Sequence, residues 1–135
     1  MTSELESTIT IFEKTFKNFS IKRYGCDFYE VHIFSESEFK IEDQKEFVKA
    51  QKEMGGLVLP VLILCGDHSS TNIDFLNYVS KKENDPYTKA DAFVIKSMAQ
   101  RILGNFYLNI VKPERPTKVF NTKEEAFKWL EQYID

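Results

Sequence analysis

Two cysteines, five glycines, four prolines and two histidines are all that this chain of 135 residues holds of those types. Each shortage excludes something. Two cysteines, Cys26 and Cys65, cannot build the disulfide framework of a small secreted domain, so a reducing, cytoplasmic setting is expected. So little glycine and proline leaves no room for a linker-rich or low-complexity chain. His32 and His68 stand at no ligand spacing from a cysteine or aspartate, so neither a metal nor a cofactor is expected. A basic excess is missing too. The net charge of −3 argues against nucleic acid or an anionic membrane surface as partner. Long hydrophobic stretches are absent: the apolar run from Leu57 to Cys65 is far too short to span a bilayer. Met1 to Thr10 shows no basic start followed by an apolar stretch, so it is not expected to be a signal peptide.

What is present is ordinary globular material, 42% hydrophobic and 29% charged, with twelve phenylalanines. That length suits a single domain, residues 1–135, with one sizeable core. Thr8 to Lys22 alternates loosely, and Phe28 to Phe34 reads FYEVHIF; with Gly25 between them they predict an antiparallel pair. Ile41 to Met54 carries Phe47, Val48 and Met54 at helical spacing and stops at Gly55–Gly56. Leu57 to Cys65 is apolar throughout, as a strand covered on both faces should be, with pairing expected from Val61, past Pro60. Thr71 with Asp74 reads as the capping box of a second helix, which Asp85–Pro86 closes. Ala90 to Ile95 is another buried strand. Ser97 with Gln100 caps a third helix, Lys118 to Phe120 is a short strand, and Thr122 with Glu125 caps a last helix bearing Ala126, Trp129, Leu130 and Tyr133. The order β-β-α-β-α-β-α-β-α predicts an α/β fold, a mixed sheet of about five strands with about four amphipathic helices and right-handed crossovers.

The stretch from Ala90 to Leu130 carries an Ala-rich strand, a Ser-capped helix, Gly104–Phe106 reading GNF, Pro113 to Phe120 in the pattern Pro-x-x-Pro-Thr-x-x-Phe, and an acidic helix ending in Trp129–Leu130. It resembles small bacterial proteins of the STAS fold, the SpoIIAA-like fold of anti-sigma-factor antagonists. The resemblance implies a STAS-like domain from a bacterium, and says much about the fold and little about the activity. In anti-sigma-factor antagonists the loop after a central strand bears a hydroxyl that a partner kinase phosphorylates. The matching loop here is Gly66–Asp67–His68–Ser69–Ser70–Thr71, which has the hydroxyls but not the Asp-Ser-Ser-Gly or Asp-Ser-Thr-Gly pattern.

That loop is the first candidate site, with Asp67, His68, Ser69, Ser70 and Thr71. It lies where ligands of open α/β sheets bind, at the carboxyl end of a strand and the amino end of a helix. The plainer reading is a turn and a helix cap. Cys65 with His68 could be a nucleophile pair, but sequence neighbours rarely meet in the needed geometry, and no catalytic residue is assigned. Arg101, Lys112, Arg115 and Lys118 form a second candidate, an anion or partner surface; alternatively they solvate the rim of the fold. The phenylalanines fill a core, line a pocket or mark an association surface, and sequence does not separate these. The leading expectation is a non-enzymatic regulatory domain with a protein partner. The alternative is a module binding a small molecule, nucleotide or lipid, since the STAS shape resembles Sec14-type lipid-transfer domains. A homodimer through the uncovered Phe- and Ile-rich edge is also expected.

Overall fold

The computed structural model describes residues 10–135. The expected strand start at Thr8 lies outside them. One main sheet of six strands has the order β1-β2-β3-β5-β7-β8: Thr10–Thr15, Phe19–Tyr24, Phe28–Ile33, Leu59–Cys65, Thr88–Val94 and Thr117–Phe120. The first three are antiparallel to one another, and β3, β5, β7 and β8 run parallel. Six strands stand in this sheet where about five were expected. The stretch predicted as one strand folds back on itself, the Phe16 amide donating to the Phe19 carbonyl at 2.7 Å and the two rings stacking at 4.7 Å. Two short strands outside the main sheet, β4 (Glu38–Phe39) and β6 (Ser70–Thr71), pair in parallel.

The four helices among the described residues are α1 (Ile41–Glu53), α2 (Ile73–Val79), α3 (Met98–Phe106) and α4 (Lys123–Leu130). Helix α1 stops where Gly55 and Gly56 take φ of 112° and 67°, a left-handed region that side chains avoid. Helix α3 runs on into a wide π turn, Tyr107–Val111. Ser97 and Thr122 cap α3 and α4 as predicted, their hydroxyls accepting from the amides of Gln100 and Glu125. Thr71 does not cap α2. Its hydroxyl donates to the Phe39 carbonyl at 2.6 Å, and Asn72 is the cap, accepting from the Phe75 amide at 2.8 Å.

Both faces of the sheet are covered, which is why β5 is apolar in every position. Val31, Val61 and Ile63 point to one face, where Phe47 of α1, Leu76 of α2 and Tyr107 of the π turn pack. Phe28, Leu62, Ala90 and Ala92 point to the other, against Ala126, Phe127 and Leu130 of α4. The first face leaves a void.

Candidate functional site

A cavity of about 130 Å³ lies between the sheet and helices α1, α2 and α3. Alternation places its floor: Val61, Ile63 and Cys65 of β5 and Asp91 and Phe93 of β7 share one face because side chains two apart point the same way. Phe47, Leu76 and Leu103 close it from the helices. Ser69, Ser70, Thr71 and Gln100 line its outer end, at the carboxyl edge of the parallel strands, and Ser70 is exposed.

The outer end is a built structure. The Gln100 side-chain amide donates to the carbonyls of Gly66 and Ser69, both at 3.0 Å, while its oxygen accepts from the Lys96 amide at 2.7 Å. Ser69 is buried and its hydroxyl donates to the Gly66 carbonyl at 2.8 Å. Gly66 approaches β3 so closely that a Cβ would stand 2.6 Å from the Ile33 carbonyl oxygen. Of the predicted loop residues, Asp67 and His68 are exposed, Asp67 lying 3.6 Å from the Lys96 ammonium and His68 taking a left-handed φ of 57°. Among Ser69, Ser70 and Thr71, solvent reaches the Ser70 hydroxyl most freely, because the other two are bonded inward.

The inner end is ionic. Arg115, 8% exposed, donates from Nε to Asp91 at 2.6 Å and from Nη2 to Asp85 at 2.8 Å. Its Nη1 donates to the Val79 carbonyl at 2.9 Å, and Nη2 also lies 3.4 Å from the Tyr107 hydroxyl. Thr88 donates to Asp85 at 2.6 Å. Burial pushes the Asp85 carboxyl up to about 7, with the Asp91 carboxylate adding to the effect and Arg115 opposing it. Burial raises Asp91 as well, against the pull of Arg115. Burial works to lower the Arg115 pKa, but Asp91 and Asp85 outweigh it and raise it. Arg115 therefore belongs to the interior and not to the predicted surface. The other three basic residues do not converge. Arg101 bonds Asn121 from the α3 side, Lys118 lies over Phe120 on the α4 side, and Lys112 is an exposed residue with a φ of 61° that ends the π turn.

Burial pushes the Cys65 thiol up to about 12, which makes it a poor nucleophile at neutral pH. His32 is exposed, 3.6 Å from Glu30. Among the described residues no three His, Cys, Asp or Glu side chains gather as a metal site, and no helix is long and apolar enough to cross a membrane.

Sequence reasoning missed Asp85 and Asp91 as site residues. One signal was there: Asp91 interrupts the apolar strand ADAFV, and a carboxylate so placed has to be paired. The partner 24 residues on carried no local sign.

A mixed sheet with three helices on one face and one on the other, and a polar loop at its parallel edge, is a SpoIIAA-like fold. The same fold occurs in a solved structure of an uncharacterized protein of the DUF3478 family from Shewanella loihica PV-4, similar with a TM-score of 0.51 and 15% identity over 87% of this chain and 97% of that one. The chain belongs to the family described as domain of unknown function DUF7793, which matches residues 30–134. A search among curated proteins finds no match.

Proposed function

We propose that this domain binds a small apolar molecule in the cavity between its sheet and helices α1–α3. The observation that carries this reading is the cavity itself, about 130 Å³, walled mostly by hydrocarbon. Protein interiors are packed densely enough that voids of this size are few, and a dry apolar cavity of about 150 Å³ accepts a benzene-sized guest. A nucleotide or phospholipid needs several times more room. Toluene is a suitable probe. Its addition raises the thermal unfolding midpoint in a concentration-dependent way, equivalent to about 2.7 kcal/mol at a hundredfold excess over Kd. Leu103→Trp, which pushes an indole into the cavity from a half-buried position, removes the effect while the domain stays folded. A midpoint indifferent to toluene rejects the reading.

The interaction-domain reading has an observation of its own. Met98, Ile102 and Ile110 are 70%, 62% and 67% exposed along α3 and its π turn, an apolar stripe of the kind that marks association surfaces. A second copy of the chain is the simplest occupant to test. Light scattering that returns the mass of one 15.8 kDa chain rejects a homodimer; a dimer that Ile102→Ser dissociates supports it. In this reading Ser70 is the switch position, and Ser70→Asp alters partner affinity by about tenfold.

A further inference from the structure

Resting on the cavity reading above, we propose that the molecule taken up is a small hydrophobic amine, with its hydrocarbon body along β5 and β7 and its ammonium at the inner end beside Asp85 and Asp91. Two independent features lead there, the shape of the cavity and the signs of the charges in its wall.

The strand register gives the shape. Asp91 is opposite Val61, and Phe93 is opposite Ile63. Ile95, four positions beyond Asp91 and also in the lining, lies near the outer end with Gln100. At about 3.3 Å per residue, Asp91 and Ile95 are about 13 Å apart along the strand direction, which separates the carboxylate end from the outer end. The space between is apolar on both sides. The cavity thus has one polar bottom, one polar rim and a hydrocarbon shaft, which suits a guest with a polar group at one end.

The charges give the sign. Asp85 and Asp91 both line the cavity and are 2% and 3% exposed. Arg115 is the one cation of the lining, and it serves both carboxylates. The other elements around them add no compensating charge: α1 offers neutral Gln44, the π turn offers the Tyr107 phenol, and α2 offers apolar side chains and the Val79 carbonyl that Arg115 already holds. One negative charge is therefore unmatched in a low-dielectric place, where an unpaired ion is costly. A proton relieves this when the cavity is empty, consistent with the raised Asp85 carboxyl. An ammonium guest relieves it by ion pairing and leaves the carboxylate ionised. A carboxylate or phosphate guest would add a second negative charge, so fatty acids and nucleotides are the wrong chemistry for this wall. The same charge count predicts that a cationic guest binds more weakly as pH falls through the Asp85 titration, whereas a neutral guest does not compete with that proton.

The test uses the full chain and three ring-sized probes of nearly equal shape: benzylamine, benzyl alcohol and benzoate. Affinities are read by calorimetry at about pH 8, where Asp85 is largely ionised and the amine is charged. Benzylamine is expected to bind at least about tenfold more tightly than benzyl alcohol, and benzoate not at all. That preference shrinks to less than about threefold at about pH 5, where Asp85 carries its proton. Asp85→Asn, if it folds, removes the preference at both pH values while benzyl alcohol still binds; the wild-type comparison stands without it. Benzyl alcohol or benzoate binding as tightly as benzylamine overturns the amine proposal and leaves the cavity reading intact. Binding of none of the three, with toluene also inert, overturns both.

Discussion

Arg115 neutralises two carboxylates with one guanidinium, and that ratio governs how the fold responds to pH. Asp85 has an ordinary pKa of 3.8 as an unfolded group and about 7 in the fold. The folded state holds the proton more tightly, so the stability contributed by Asp85 is fully present below about pH 4. It is lost as pH rises through about 7, by at most about 1.4 kcal/mol per pH unit. Urea unfolding of wild type and Asp85→Asn at about pH 5 and pH 8 checks the sign: the variant gains on the wild type as pH rises. Removing the cation is worse than removing an acid. Arg115→Met leaves Asp85 and Asp91 facing each other unpaired and is expected to cost about 3–5 kcal/mol near neutral pH. At the other end of the cavity, Gly66→Ala sets a Cβ against the backbone of β3 and its following loop, 2.6 Å from both Ile33 O and Ser35 N. That overpacking costs about 1–3 kcal/mol in a chemical-denaturation assay.

The helix starts show how far local chemistry reaches. Ser97 and Thr122 were legible as caps because the hydroxyl and the amide it serves are three residues apart, a distance the sequence displays directly. Thr71 has the same appearance and a different job. It is held by Phe39, 32 residues away, through the short β4–β6 pairing, and the capping passes to Asn72. Asn72→Ala is therefore expected to cost about 1 kcal/mol of stability in thermal or urea unfolding. The strand boundaries followed the same rule. The two-faced burial of β5 was plain in its unbroken apolar run, whereas the turn between β1 and β2, at Phe16 to Asn18, carries no glycine or proline to mark it.

Across the whole molecule, protection runs from the centre of the sheet outward. Strand β5 pairs on both sides, with β3 and β7, and is covered on both faces, while among the described residues β1 pairs only with β2 and its residues from Phe12 to Thr15 are exposed. Hydrogen exchange is expected to be slowest in β5, at the global unfolding free energy, and fastest among the strands in β1, through local opening. Exchange in β1 as slow as in β5 would contradict this.

The sequence by itself determined the α/β class, the four helices with most of their ends, and the buried strands. Those properties are written in periods of two and 3.6 residues and in caps a few residues long. It also determined that the loop after β5 would stand at the edge where such sheets bind ligands. Only the tertiary structure decided that the cavity exists and what faces it. A void is the volume that side chains from α1, α2, α3, β5 and β7 fail to fill together, and no one segment records it. The ionic end is equally non-local: Asp91 and Arg115 are 24 residues apart, and Arg115 reads from the sequence as one more surface cation until β7, the π turn and the end of α2 close around it. Local order follows from neighbours along the chain, whereas burial and pairing of charge depend on which distant segments the sheet brings side by side.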